Sequence, residues 1–600
     1  MKIFKLPLAG LLFCTAPLLA GCGTSDKPEA PVSLTWEMGT GNAEPGYYEN
    51  SFVLKNISGA PLPRNWTIYY SQLPRNVKQV GNLVVRVESV NGNFFKMYPT
   101  ESFTPLAPGD SMRITFLCSY KIDRNSHAPE GTYWVATADG KESSPLPVTL
   151  NTLALPSPES LPGYPDATKI YESNLRLENV SALQQWDILP SVKKATPAGG
   201  AVVLDGKVAL AYPDAYAAEA RLLKEKLSAL YGLEVVDKAP VTIALETLAD
   251  KAKAVNDEYY DLVIDSDRIT ISAATPHGVF NGTQTLLAML KGKEAPYRLD
   301  AMSVEDYPDL LYRGQMIDIA RNFTTVDNLK KLVDVFASYK MNVLHFHFSD
   351  DEGWRLQIPG LEELTSVGAR RGHTTDELEC LYPGYDGNYN PSASTSGNGY
   401  YTREEFIDLL RYAAQRHVRV IPEIESPGHA RAAIVSMKAR YHKYINTDPE
   451  KAVEYLLSDA QDTSRYVSAQ SYTDNVMNVA LPSTYRFMEK VICEILDIPV
   501  EEAPDMSGDV EMYVITNSHK IFGAASILST RILNAVSYLI GGDFIILPSS
   551  IHECIAVPYG KMESEELREM VREVNGHQVS PEDRLTYNVY KYSKGELSIM

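Results

Sequence analysis

Residues 342–351 read Asn342-Val343-Leu344-His345-Phe346-His347-Phe348-Ser349-Asp350-Asp351. Apolar residues alternate with histidines and run into two carboxylates. That pattern predicts a short buried strand over 343–348, with polar groups gathered just past its C-terminal end. The same plan stands on either side. Residues 315–319 read as an earlier buried strand with Asp318 and Arg321 at its end, and 418–424 as a later one closed by Glu423, Glu425 and His429. Between them, 326–339 and 402–416 carry apolar residues at helical spacing. Alternating strands and helices predict parallel β/α units, which build either a doubly wound sheet or a (β/α)8 barrel. In both, chemistry sits beyond the C-terminal strand ends. One such polar cluster could be a structural network; three successive strands ending this way point to a site.

Working outward, Ala220, Leu223, Leu227 and Leu230 recur at helical spacing. Leu262-Val263-Ile264 and Ile269-Thr270-Ile271 flank a turn at Asp265-Ser266-Asp267, and a helix is expected over 279–290. These features predict a small α/β domain over 167–302, followed by the β/α units over 303–498. A Pro-rich stretch from Leu155 to Pro165 marks a linker before it. Residues 22–155 read as a β-sandwich of short strands, among them Leu83-Val84-Val85-Arg86-Val87 running into the turn Asn91-Gly92. Trp36, Trp66 and Trp134 could form a sugar platform, but core packing is the better reading. Downstream, strand signals at 513–517 and 544–547 and helix signals at 524–539 and 565–574 predict a separate small α/β domain over 499–600. His552-Glu553 has no second His at helical spacing, so it is no metal motif.

Length and charge bound the rest. At 600 residues the chain exceeds one hydrophobic core, and roughly three to five domains are expected. The net charge of −20 argues against a nucleic-acid partner, which needs clustered Lys and Arg. Residues 1–21 read as a lipoprotein signal peptide: Lys2 and Lys5, then an apolar run too short to span a bilayer, then Leu18-Leu19-Ala20-Gly21-Cys22. The order Leu-Ala-Gly-Cys resembles a bacterial lipobox and makes Cys22 the lipidation site. The chain is therefore expected to be exported and lipid-anchored to a bacterial membrane, in the cell envelope or at the surface. Cys118, Cys380, Cys493 and Cys554 are far apart and show neither a CxxC pair nor zinc-ligand spacing, so buried thiols, no metal site and no cofactor are expected.

Three motifs together carry a specific resemblance. Tyr312-Arg313-Gly314-Gln315-Met316-Ile317-Asp318-Ile319-Ala320-Arg321, the stretch from Asn342 to Asp351, and Glu423-Ile424-Glu425-Ser426-Pro427-Gly428-His429 resemble family 20 glycoside hydrolases, the β-N-acetylhexosaminidases. Gly278-Val279-Phe280-Asn281-Gly282-Thr283-Gln284-Thr285-Leu286 is similar to the α/β domain that precedes the barrel in that family, and the likeness runs over about 175–498. It implies that Arg321 grips the hydroxyls of a terminal N-acetylhexosamine with its guanidinium fork. Asp350 would hold that fork and accept from the sugar. Glu425 and His429 would form a polar relay around the general acid, with His347 in support. Asp351 and Glu352 are expected to be structural groups under the loop, and Trp354 a core residue.

Family 20 hydrolysis is substrate-assisted. A Glu protonates the leaving oxygen, and the adjacent Asp orients the substrate's own acetamide as it attacks the anomeric carbon. That pair belongs at the end of the fourth strand. Here a helix over 482–498 precedes that position, and no Asp-Glu dipeptide follows it. Gly541-Gly542-Asp543-Phe544 has Phe in the acid's place, and Pro504-Asp505 and Gly508-Asp509 are poorer substitutes. No Trp follows Trp354 to line a sugar pocket. The expected fold is thus a partial (β/α)8 barrel of about three units behind a sandwich and an α/β domain, then an unrelated C-terminal segment. The C-terminal segment resembles a bacterial domain family of unknown function. The expected function is a β-N-acetylhexosaminidase-like hydrolase, inactive for want of its Asp-Glu pair; the alternative is a non-catalytic, glycan-binding surface lipoprotein. Three strands cannot close a barrel. The junction near Asp497 accordingly reads as a truncated or mis-joined gene before a natural fusion. Residues 311–498 are expected to be loosely held, with a protease-resistant fragment ending near Met302.

Overall fold

The computed structural model describes residues 29–600, except 74–75, 80–82, 120–126, 154–166, 176–187, 386–387, 497–512, 517–522, 549, 552, 561–563, 578 and 580–583. The signal peptide with Cys22, most of the Pro-rich linker, the junction at Asp497 and His552 lie outside the described residues.

The N-terminal strands form two facing sheets. One pairs Val32–Glu44 with Tyr47–Asn56, and Tyr47–Asn56 with Ser111–Ser119. The other pairs Trp66–Ser71 with Glu130–Ala138 and Phe94–Pro99. Trp36 projects from the first sheet, and Trp66 and Trp134 from the second, stacked at 5.1 Å. All three are buried in the core between the sheets, as the sequence reading expects.

A seven-stranded mixed sheet follows, covered by helices Ala217–Tyr231 and Pro276–Leu290. Its strands Tyr260–Ile264 and Arg268–Ala273 are the expected antiparallel pair. The expected boundary at 302/303 is corrected: it would cut the strand Tyr297–Asp306, which pairs with both Lys194–Leu204 and Tyr260–Ile264. Pro276 opens its helix behind the Thr275 cap, whose hydroxyl accepts from the Gly278 N–H. Gly278 and Gly282 lie where that helix crosses the sheet. A Cβ at either would stand 2.4 Å from the Tyr259 carbonyl oxygen or the Ile271 side chain.

The three motif strands are Gly314–Asp318, Val343–His347 and Arg419–Glu423, all parallel. They are connected through helices Val326–Ser338 and Arg403–Ala414. Leu329, Val333, Phe336 and Ala337 on the first helix, and Phe406, Leu409 and Ala413 on the second, pack one face of the sheet. The second helix starts with a capping box between Thr402 and Glu405. The register then fixes the site. Asp318 pairs with His347, and His347 with Glu423, so the three side chains leave one face in a single row at the C-terminal strand ends. The first strand is not buried, contrary to expectation. Met316 is 46% exposed because the face opposite the helices has no covering layer among the described residues.

The last described strands form a five-stranded sheet in which every pairing is antiparallel. Helices Thr530–Ile540 and Ser564–His577 pack on it, with cores of their own. None of these strands pairs with the parallel sheet among the described residues. The segment meets the preceding helix, Pro482–Leu496, where Ser529 Oγ lies 3.2 Å from Glu489.

The expectation that residues 311–498 are loosely held does not survive this packing. They contain most of the largest buried apolar cluster among the described residues. Buried polar contacts fasten them to the mixed-sheet domain: a hydrogen bond between His417 and Glu219 at 3.0 Å, and ion pairs of Lys340 with Asp306 at 2.7 Å and of Arg313 with Glu258. Cys118, Cys380, Cys493 and Cys554 are buried, as expected. Among the described residues, no helix is long and apolar enough to cross a membrane.

Candidate functional site

Arg321 is the centre of the polar row. Its Nη2 lies 2.7 Å from Asp350 Oδ2, its Nε 2.9 Å from Glu352 Oε2, and its Nη1 2.9 Å from Asp318 Oδ2. Its backbone is held too: Arg371 Nη2 donates to the Ala320 and Arg321 carbonyls at 3.0 and 2.7 Å. Arg355 closes the same corner by donating to the Ala320 carbonyl at 2.8 Å. This approach requires Gly353, where a Cβ would fall 2.6 Å from the Ala320 oxygen and 2.5 Å from Arg355. A guanidinium fixed by three carboxylates stays charged despite burial, and its rotamer is set before any ligand arrives.

His347 joins this network to the third strand. Its Nδ1 lies 2.8 Å from Glu423 and its Nε2 3.0 Å from Asp350. Burial works against its charge, but the hydrogen bonds to Asp350 and Glu423 prevail and push it up to about 9. It is an imidazolium at neutral pH, donating from both nitrogens. Glu425 Oε1 is 4.0 Å from His347 Nδ1, and burial, reinforced by Asp350, raises its carboxyl. His429 Nδ1 sits 3.3 Å from Asp350 and 3.4 Å from Asp351. Five expected residues, Arg321, His347, Asp350, Glu425 and His429, therefore converge at the ends of these strands.

Behind them, Asp351 accepts from Asn475 at 2.9 Å and from the Arg431 backbone at 3.2 Å, fully buried. Burial, with Glu352 and Asp350 beside it, pushes its carboxyl up to about 7. Trp354 is a core residue, edge-on to Phe348 at 5.6 Å. The expectation for Glu352 is corrected: it is a direct partner of Arg321, and its other oxygen accepts from Tyr472 at 2.9 Å. The run Asp350-Asp351-Glu352 is visible in the sequence, but its burial, and so its need of a cation, is seen only in the fold. Tyr472 and Asn475 come from a loop with no periodic pattern, so no sequence signal singled them out. His347, Asp350 and Glu425 could surround a cation, as could Asp350, Asp351 and His429. Asp350 is already committed to Arg321 and to a charged His347, so the donors read as an ion-pair network rather than a metal cage.

Residues 310–520 match the catalytic domain of glycosyl hydrolase family 20, and 185–307 match domain 2 of that family. This part of the chain belongs to glycosyl hydrolase family 20. Residues 43–155 match a candidate carbohydrate-binding domain, and 466–594 a family of unknown function whose match overlaps the end of the family 20 catalytic domain. The N,N'-diacetylchitobiase of Vibrio harveyi is 32% identical over 74% of this chain and 51% of its own length. The β-hexosaminidase of Vibrio vulnificus is 32% identical over 80% of this chain and 57% of its own length. The chain thus spans a little over half the length of these two relatives. A solved family 20 structure, the exo-β-N-acetylglucosaminidase from Vibrio harveyi in complex with N-acetylglucosamine, superposes with a TM-score of 0.60 at 26% identity. That superposition covers 78% of this chain and 66% of the other.

Proposed function

We propose that the polar row binds a terminal N-acetylhexosamine of a glycan, and that this chain holds the sugar without hydrolysing it. The observation that carries the first half is Arg321, fixed by Asp318, Asp350 and Glu352 at the ends of parallel strands. A fork held in this way offers paired donors to vicinal hydroxyls, and Asp350 keeps it in place. The names of the similar proteins, chitobiase and β-hexosaminidase, fit that sugar.

The second half rests on chemistry that the chain lacks. Substrate-assisted hydrolysis needs a Glu acid and a neighbouring Asp for the acetamide, and no Asp-Glu dipeptide follows the helix Pro482–Leu496. We read the three parallel strands as the opening units of a barrel whose later units would carry that pair. A protein with a charged Arg321 but no acid binds and releases unchanged sugar. Incubating the full chain with a chromogenic N-acetylglucosaminide is expected to release no more product than an Arg321→Ala control. Turnover abolished by that substitution would overturn the reading, because some other carboxylate would then be acting.

The site would work at a membrane surface. Leu19-Ala20-Gly21-Cys22 supports lipidation at Cys22 after export, with the domains held outward on an acyl anchor. The wild-type chain is expected in the membrane fraction and Cys22→Ala in the soluble one. A wild-type chain found wholly soluble after export would refute the anchor.

A further inference from the structure

The β-sandwich reaches the candidate sugar site. The turn Asn91-Gly92 at the tip of one of its hairpins touches the loop that carries Tyr472. The Gly92 N–H donates to the Ser471 carbonyl at 3.2 Å. Asn91 Nδ2 donates to Asp474 at 2.8 Å, and the Thr473 N–H donates to Asn91 Oδ1 at 3.3 Å. Tyr472 lies directly against the glycine, in the space a side chain would fill: a Cβ at Gly92 would stand 2.3 Å from its ring and 2.8 Å from its hydroxyl oxygen. The backbone there is left-handed, at φ +54°, so glycine answers two needs at once.

From this clamp the contacts run straight to Arg321. The Tyr472 hydroxyl donates to Glu352 Oε1, and Glu352 Oε2 accepts from Arg321 Nε at 2.9 Å. Tyr472 and Glu352 are both buried, so neither can exchange this partner for bulk water without moving. A second tie runs beside it. Asp474 also accepts from Arg431, which grips Glu377 through both terminal nitrogens. The aromatic face of the sandwich is engaged as well: Tyr69 and Tyr133 meet His373 at 5.6 and 5.4 Å, and Phe94 stacks on Tyr382 at 5.4 Å.

We propose that the Asn91-Gly92 turn of the sandwich is a positioning element of the sugar site, acting on Arg321 through Tyr472 and Glu352. The sandwich then serves the site as a brace, whatever glycan it meets elsewhere. This deepens the proposal that Arg321 binds N-acetylhexosamine and rests on it for one of its two measurements. Asn91, Gly92 and Tyr472 do not touch the sugar. They hold the carboxylate that holds the guanidinium.

The test uses the full chain with Asn91→Ala, Gly92→Ala, Tyr472→Ala and the Gly92→Ala/Tyr472→Ala double variant. Two quantities are measured: N-acetylglucosamine affinity by calorimetry, and peptide-resolved deuterium exchange over residues 350–354 and 468–475. Asn91→Ala and Gly92→Ala are each expected to weaken binding roughly ten-fold and to speed exchange in both stretches. Because Tyr472→Ala vacates the space a Cβ needs, Gly92→Ala is expected to cost less in that background than alone, keeping only the strain of its left-handed backbone. Strain confined to the sandwich would instead add equally in both backgrounds. If Gly92→Ala unfolds the sandwich, Asn91→Ala, which removes only hydrogen bonds, still decides. Unchanged exchange over 350–354 in Asn91→Ala, or additive effects in the double variant, would overturn the proposal. A wild-type chain that binds no N-acetylglucosamine would refute the sugar reading alone, and the exchange data would still judge the brace.

Discussion

Replacing Arg321 by Met keeps most of the aliphatic stem and removes the charge that three carboxylates share. Asp350 and Glu352 are each 2% exposed at the side chain, so neither can turn to water. Breaking a buried ion pair by removing one partner costs about 3–5 kcal/mol. The lower end applies here, about 3 kcal/mol, because Asp350 keeps His347 and Glu352 keeps Tyr472. The loss must also depend on pH. Burial already raises the Glu352 carboxyl, and Arg321 opposes that rise. Without Arg321 the folded state binds this proton more tightly still, while the unfolded carboxyl is unchanged. A group protonated in the folded state but ionised in the unfolded state makes stability fall as pH rises between the two values. The variant is therefore expected to lose about 3 kcal/mol near pH 7.5 and less near pH 5, where the buried carboxyl takes up its proton. The chain has several domains, so a single global transition is the wrong measure. Deuterium exchange of the strand Val343–His347, compared between Arg321→Met and wild type at both pH values, reads this unit by itself. A loss under about 1 kcal/mol near pH 7.5, or one equally large near pH 5, would refute the network as described.

His347 gives the wild-type chain its own pH signature. Its folded value is raised from 6.5 to about 9, so its stabilisation is complete below about pH 6.5 and lost as pH climbs through 9. Imidazole resonances that titrate near 6.5 would contradict this. Gly278→Ala is expected to destabilise the mixed-sheet domain by about 1–3 kcal/mol, since its Cβ would stand 2.4 Å from the Tyr259 carbonyl oxygen; unchanged deuterium exchange of the helix Pro276–Leu290 would refute that contact. Limited proteolysis is expected to leave a resistant fragment that spans the mixed sheet and the three parallel strands together. The Glu219–His417 hydrogen bond and the ion pairs Asp306–Lys340 and Glu258–Arg313 hold the two as one body, and a resistant fragment ending near Met302 would show that they do not.

What could be read from the sequence was what repeats locally. Leu329, Val333, Phe336 and Ala337 announce their helix by spacing, and the three strands announce themselves by apolar runs that end in charge. Arg321, His347 and Asp350 could be named because each stands at the end of such a run, where parallel architecture brings successive elements together. Burial of the first strand was misjudged for a related reason. An apolar run states that a strand can be covered, and Met316 is exposed because the layer that would cover it is not among the described elements. The domain boundary was misjudged because nothing in Met302-Ser303-Val304 stops a strand whose partners, Lys194–Leu204 and Tyr260–Ile264, are long enough to carry it to Asp306.

The parts of the site that stayed hidden are those joined only by long-range contact. Asn91-Gly92 is legible as a turn, but nothing local says that Tyr472, 380 residues later, fills the space above its glycine. The carboxylates supply the missing logic. Asp350, Asp351 and Glu352 are consecutive and buried, and each carboxylate taken from water must find donors. Arg321 serves two of them directly, at 2.7 and 2.9 Å. Asp351 turns the other way, to Asn475 and the Arg431 backbone, and Glu352 completes its shell with Tyr472. Both side-chain donors, Asn475 and Tyr472, come from one loop, and the sandwich turn anchors that loop through Ser471, Thr473 and Asp474. Three adjacent acids thus need a counter-ion on one side and a held loop on the other. The three adjacent acids could be read from the sequence, whereas their burial and the residues that answer it could be found only in the fold.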